Sequence, residues 1–230
     1  MPSLYITLFA TTALLLVAAA SGSKKDHYRF RSDQPTTEED EDDDSGHHHR
    51  HRHDPYSGVA HVSRCRHNFN DRTEAGINRQ INFYMHSGYV YNSMAHYFGR
   101  CDIALPGFQK FFEQMATEQR ERTEALMKYQ NMRGGQVNLQ QVTAPTTNDW
   151  GTGIDAMIQA LELEKTINQE LLELHMVAMQ HDDIHAASFI QSAFLAPQVE
   201  KIFTISQYIT NLERVGPGLG EYMFDKLPQN

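Results

Sequence analysis

Two cysteines in 230 residues, Cys65 and Cys101, are too few for a disulfide-dense scaffold or the usual zinc-finger arrangements. Basic charge is also in deficit. Lys and Arg number 20 against 29 Asp and Glu, a formal net charge of -9, so the overall field repels phosphate backbones and no nucleic-acid partner is expected. No Asn-x-Ser/Thr sequon occurs, so N-glycosylation is not expected either. After His67 no segment alternates apolar and polar residues as a half-buried strand does. The remaining composition, 40% apolar and 21% charged, fits one compact domain with an accessory segment.

The accessory segment comes first. Leu4 to Ala20 form a nearly continuous apolar run (LYITLFATTALLLVAAA) that ends in small residues suited to a signal peptidase, with cleavage expected between Ala20 and Gly22. A membrane helix is the alternative, but the run is slightly short, Thr7, Thr11 and Thr12 dilute it, and no positive flank precedes it. The sequence therefore predicts a signal peptide over 1–22, a secreted chain or one in a secretory-pathway compartment, and no membrane partner after cleavage. Export would let a disulfide persist, either Cys65 to Cys101 or between subunits.

Residues 23–63 change character abruptly. Glu38, Glu39, Asp40, Glu41, Asp42, Asp43 and Asp44 form an unbroken acidic run, and five of the 13 histidines follow within seven residues: His47, His48, His49, His51 and His53. Such a segment cannot bury enough apolar surface to offset its ordering entropy, and is expected to be a disordered extension. Neutral imidazoles bind zinc, copper or nickel, so a metal-buffering arm is one reading. A solvated, self-paired acid and base tail is the other. Residues 1–60 hold ten acidic and six basic residues against nineteen and fourteen in the rest, so about half of the net charge belongs to this arm.

From 64 to 230 the apolar residues recur at spacings of three and four. The first predicted helix runs from Asp71, read as its N-cap, to Phe98, with Ile77, Ile81, Tyr84, Gly88, Tyr91, Ala95 and Phe98 on one stripe. Pro106 opens the second at its first turn, and Gly134 and Gly135 end it. A long connection holding Pro145 and Trp150 follows, which suggests a crossover along a bundle. The third helix spans 153–180 with Met157, Leu161, Glu164, Asn168, Leu171 and His175 inward. The fourth spans 184–215, with Pro197 expected to kink it near Ala193. A short fifth segment covers Leu219 to Leu227. Together these specify an all-α four-helix bundle with one long crossover.

The informative residues are the polar ones on the buried stripes: Gln119 and Arg122 on the second helix, Glu164 on the third and Gln198 on the fourth. A buried carboxylate and a buried guanidinium are costly alone and tolerable together, so a Glu164–Arg122 ion pair is expected. An iron pair is the competing use of such a layer, since di-iron bundles supply Glu from two helices and Glu-x-x-His from the others. Only one inward carboxylate is present here, and Arg122 places a fixed positive charge where a cation would bind.

These residues sit among longer strings: Ala75 to Asn82 (AGINRQIN), Gly88 to Tyr91 (GYVY), Leu126 to Gly135 (LMKYQNMRGG), Leu161 to Lys165 (LELEK), Leu171 to His175 (LLELH) and Gly220 to Lys226 (GEYMFDK). In this combination the chain from Arg66 to Lys226 resembles animal ferritin subunits. The resemblance implies a ferritin-like bundle that joins other ferritin subunits in a homo- or hetero-24-mer around a ferric iron mineral. It also assigns roles. The family's catalytic ferroxidase ligands fall at Tyr84, Gln119 and Arg122, which replace two glutamates and a histidine, while Tyr91, Glu164 and Gln198 match the remaining positions. The resemblance therefore implies a light-type subunit, iron-storing and not catalytic, dependent on a ferroxidase-active partner. A structural or nutritive shell of yolk or matrix type, with little iron and a tail that binds other metals or mineral, is the alternative.

Two further sites follow from the resemblance. Glu118, Glu121 and Glu124 match the carboxylates that nucleate mineral on the cavity side of the second helix, and Glu113 adds a neighbouring charge, although Lys110, Gln114 and Thr117 stand at adjoining positions. The channel that admits ferrous iron at the three-fold axes matches His175, Ser188 and Gln191, where acids are replaced at the last two positions. Leu219, Met223 and Leu227 match the apolar lining of the four-fold channel.

Overall fold

The computed structural model describes residues 63–227. The expected signal peptide, the acidic run and the five tail histidines lie outside the described residues. Six α-helices follow in order: α1 (Asp71–Phe98), α2 (Pro106–Met132), α3 (Gly153–Gln180), α4 (Ile184–Ile190), α5 (Ala196–Val215) and α6 (Leu219–Lys226). Among the described residues there is no strand, so the all-α bundle with a long crossover and a short last helix is what the chain forms.

Local chemistry sets the helix ends. The N-cap of α1 is Asn70, not Asp71: the Asn70 side chain accepts from the Arg72 N–H at 2.8 Å. Asp71 instead occupies the first turn, where its carboxylate pairs with Arg66 at 2.5 Å. Thr152 and Asp155 form a reciprocal capping box at the start of α3. Leu105, ahead of α2, offers no cap, and the missing acceptor comes from α6, where Asp225 Oδ1 accepts from the Phe108 N–H at 3.0 Å.

The crossover, residues 133–152, lies along α1 on a ladder of side chains. The N–H groups of Gln136, Asn138 and Gln140 donate to Glu74 Oε1, Asn78 Oδ1 and Asn82 Oδ1 at 2.7, 2.9 and 2.8 Å. The amides of Asn78 and Asn82 donate back to the Gln136 and Asn138 carbonyls at 2.9 and 3.1 Å. Four helical residues rise about 6 Å, and two extended residues advance about 6.6 Å, so the rungs stay in register. Trp150 closes the crossover, buried, with its indole N–H donating to Ser93 Oγ at 3.1 Å.

Pro197 does not simply bend one long helix. Residues Gln191–Leu195 form a π-helical turn between α4 and α5, and the Ala196 N–H reaches back five residues to the Gln191 carbonyl. A proline lacks the donor for the bond to Ala193 and its ring crowds that carbonyl; the wider turn removes both conflicts. Ile190, Phe194 and Gln198, spaced by four, consequently all point into the core.

Two apolar clusters fill the bundle. One gathers Phe98, Phe108, Phe112, Met157, Ile205 and Phe224, the other Ile77, Ile81, Leu126, Ile167, Leu171 and Phe194. The buried face of α3 is shifted from the expected stripe. Ala160, Ile167, Leu174 and Ala178 are buried with Met157, Glu164 and Leu171, whereas Leu161, Asn168 and His175 are only half-buried.

The cysteines lie at opposite ends of α2. Cys65 Sγ approaches the Asn131 carbonyl in its last turn at 4.0 Å, and Cys101 belongs to the turn before Pro106. A helix of 27 residues is about 40 Å long, and a disulfide needs Cα atoms within about 7 Å. A Cys65–Cys101 bond within one subunit is therefore excluded, and both cysteines are free and exposed.

Candidate functional site

Four helices contribute polar groups to the core at the level of Glu164. The Glu164 side chain on α3 is wholly buried. Its Oε1 accepts from the Tyr91 hydroxyl of α1 at 2.6 Å and from Gln119 Nε2 of α2 at 3.2 Å. Its Oε2 accepts from Gln198 Nε2 of α5 at 2.5 Å, and the same amide also donates to the Glu164 carbonyl at 3.0 Å.

The expected direct ion pair is not formed. Arg122 Nη1 donates to Gln198 Oε1 at 2.7 Å, so the guanidinium reaches Glu164 only through that amide. The reason is chemical: an amide has an acceptor end for the cation and a donor end for the carboxylate, and Gln198 fills the gap between them. The half-buried Arg122 lies over the Tyr84 ring, 5.9 Å from guanidinium carbon to ring centre.

Burial dominates the protonation of this layer. It pushes the Glu164 carboxyl up, against the hydrogen bonds from Tyr91 and Gln198 and the charge of Arg122. The Tyr91 phenol is held well above its usual value by burial and then by the Glu164 charge. Burial raises Tyr84 to about 12, opposed chiefly by Arg122. At neutral pH the layer is thus a protonated phenol pair, two amides, one carboxyl and one fixed cation.

That donor set does not fit a pair of iron ions. The one carboxylate already accepts three side-chain hydrogen bonds, and two amides and two phenols with raised pKa values are weak ligands. Arg122 adds a positive charge at the same level.

The other anticipated residues are placed as follows. Glu118 is half-exposed and ion-paired with Lys201 of α5, and both line a groove with Gln114, Arg122, Glu200 and Thr204. Glu121 is exposed, and Glu124, also exposed, lies 3.7 Å from Lys128. Among the described residues no three His, Cys, Asp or Glu side chains are brought together as a ready metal site. His175 is half-buried, and Ser188 and Gln191 are exposed on α4 and the π turn.

Sequence reasoning missed Lys201. Its side chain is 13% exposed, and burial lowers its ammonium to about 8, while the adjacent Glu118 carboxylate favours the charged form. The available signal was its place three residues after Gln198, one turn further along the same face. Asp225 and Glu221 were missed as caps: Glu221 Oε1 accepts from the Gly153 N–H at 2.5 Å, as Asp225 does from Phe108.

Fold and site together define a four-helix bundle whose central polar layer is closed by protein groups. The pattern of the Ferritin-like domain matches residues 74–215, and the chain belongs to the ferritin family. It is 56% identical over 165 residues to "Soma ferritin" of Lymnaea stagnalis, covering 72% of this chain and 95% of that protein. It is similar to "Ferritin-1 heavy chain" of Schistosoma mansoni at 49% over 165 residues, with 72% and 95% covered. "Ferritin, lower subunit" of Aquarana catesbeiana is 46% identical over 167 residues, with 71% and 96% covered.

Proposed function

We propose that this chain is a non-catalytic, light-type subunit of a secreted ferritin shell that stores iron as ferric mineral. The observation that carries the reading is the central layer. Arg122 and Gln198 stand in a hydrogen-bonded chain with Glu164, and Tyr84 and Gln119 occupy two further positions at which the family resemblance expects catalytic ligands. With one carboxylate already engaged, a ferrous pair has no oxygen-rich seat, so oxidation depends on a co-assembled ferroxidase-active subunit. Iron is cargo here, held as mineral against the cavity face where Glu118, Glu121 and Glu124 lie along α2.

The experiment is ferrous oxidation by the purified homopolymer, followed by oxygen uptake. The expected rate equals that of buffer, and co-assembly with a ferroxidase-active ferritin subunit raises it. Rapid oxidation by the homopolymer, abolished by Glu164→Ala, would overturn the reading.

A second reading, a structural or nutritive shell poor in iron, is favoured by one observation: Glu118 is paired with Lys201, which weakens the nucleating cluster. Iron per native particle separates the two. Export rests on the apolar run Leu4 to Ala20, and the mass of the mature chain tests it.

A further inference from the structure

Four aromatic rings in contact run from the central layer to the edge of the subunit. The wholly buried Tyr84 stacks on Phe194 with ring centres 6.0 Å apart, Phe194 meets Phe189 edge-on at 5.4 Å, and Phe189 lies parallel to Tyr129 at 4.1 Å. Beyond the last ring stands His185, exposed at the start of α4. Core packing accounts for the rings, because aromatic pairs favour these contacts. It does not account for the polar end of the series.

Tyr129 is 2% exposed, and its hydroxyl has two polar neighbours. Arg133 Nη1 donates to the oxygen at 2.6 Å, and Asp183 fixes that guanidinium by accepting from Nη1 and Nη2 at 2.9 and 3.0 Å. His185 Nδ1 lies 2.9 Å from the same oxygen. A guanidinium can only donate, so the phenol hydrogen goes to the imidazole, whose own proton then sits on Nε2. Burial holds the phenol above its ordinary range, against the pull of Arg133, so at neutral pH that hydrogen is in place.

Other buried phenols lack this exit. The Tyr84 oxygen faces the donors of Arg122 and Gln80. Tyr91 donates to Glu164, which is itself wholly enclosed. The distinction matters for loss of an electron. A phenol that keeps its proton must become a radical cation, a strong acid of high energy, whereas a base already hydrogen-bonded to the hydroxyl takes the proton in the same step.

We propose that Tyr129 is a site of one-electron oxidation, its proton passing to His185 and its electron to a strong one-electron oxidant such as the hydroxyl radical that ferrous iron forms from hydrogen peroxide. The O–H bond of Tyr129 breaks and an N–H bond forms at His185 Nδ1. Tyr129 becomes a neutral phenoxyl radical, His185 an imidazolium, and the oxidant leaves as hydroxide, so charge and atoms balance. Exposure lets His185 pass the proton on to water. The ring contacts through Phe189 and Phe194 give an electron vacancy formed at Tyr84 a route to the same exit. This inference goes beyond the storage reading, and its test uses no iron.

The test uses the assembled protein and photogenerated tris(bipyridine)ruthenium(III) as the oxidant. Transient absorption should show a fast phase of phenoxyl formation that Tyr129→Phe removes and that Tyr89→Phe, at an exposed ring, leaves intact. His185→Ala should slow that phase about a hundredfold, as expected for loss of a positioned base, and free imidazole should restore it. Restoration by imidazole separates a proton acceptor from a merely structural histidine. A fast phase that survives Tyr129→Phe, or one that His185→Ala leaves unchanged, overturns the proposal. High-field electron paramagnetic resonance of the freeze-trapped wild type needs no variant, and decides the matter even if a variant misfolds. The radical should carry the shifted g value of a phenoxyl oxygen hydrogen-bonded to cationic donors, here Arg133 and the new imidazolium; a phenoxyl signal without that shift overturns the assignment.

Discussion

Arg122 reaches Glu164 only through Gln198, whose amide accepts from the guanidinium at 2.7 Å and donates to the carboxylate at 2.5 Å. The relay joins α2, α5 and α3, and the Tyr91 hydroxyl extends it to α1. All four long elements of the bundle are thereby held at one level without a metal. Removal of the Glu164 side chain strips the acceptor from three buried donors. Glu164→Ala should lower the free energy of unfolding by about 3 kcal/mol, whereas Glu164→Gln, which keeps one acceptor oxygen, should lose about 1 kcal/mol. Urea unfolding measures both, and equal losses would argue against the relay.

Lys201 gives the chain a pH signature. Its folded value is about 8 against an ordinary 10.5 because burial disfavours the ammonium. Between those values the unfolded chain holds more protons, so stability rises with pH across that window. Glu118 offsets part of the burial, which limits the gain to roughly 2 kcal/mol. Above about pH 10 the buried Tyr84 and Tyr91 act in the opposite sense, because the unfolded phenols ionise first. Unfolding midpoints from neutral pH to about 10 should rise in the wild type and stay flat in Lys201→Met. Parallel curves for the two proteins would show that another group titrates.

What the sequence made legible was periodicity and its exceptions. Gln119, Glu164 and Gln198 stood out because a polar residue on an apolar stripe is visible in one dimension, and all three are buried. Pro197 was equally visible as a conflict, but whether the chain kinks or widens into a π turn depends on which neighbours must still reach the core. The Gln198 relay was not legible, because a stripe assigns a face and does not say which of two facing side chains stands between the others. On α3 the helix was right and its rotation was not: His175 and Asn168 lie at the edge of the buried face. The caps from α6 escaped notice because Asp225 and Phe108 are 117 residues apart, beyond the reach of any local rule.

The cysteines provide a test of covalent structure. With α2 between them, a single chain cannot close a Cys65–Cys101 bond. After mild oxidation, non-reducing electrophoresis should show only two species: a monomer with both thiols free, and larger bands that collapse to monomer on reduction. A monomer band carrying no free thiol, unchanged in thiol count until reduced, would mean that the two cysteines do not lie at opposite ends of α2.

The last helix ties two others down. Leu105 supplies no side-chain cap to α2, yet the Phe108 N–H is satisfied by Asp225, and Glu221 does the same for Gly153 at the start of α3. Phe224 packs between them against Phe108 and Tyr208, with ring centres 5.8 Å apart in each case. The connection from α5 bends at Gly216 and Gly218, both at φ 73, a conformation that other residues enter with strain. Gly107 sits so close to α6 that an added Cβ would lie 2.0 Å from the Asp225 carbonyl. Capping and docking are therefore one event. Asp225→Ala should cost about 1–2 kcal/mol and speed hydrogen exchange at the Phe108 amide, as expected for a lost helix cap. Asp225→Asn keeps an acceptor oxygen and should retain most of that protection. Leu219→Ala, on the exposed side of α6, should leave both amides protected; if it exposed them as fully as Asp225→Ala does, α6 would be held by its apolar contacts and not by its carboxylates.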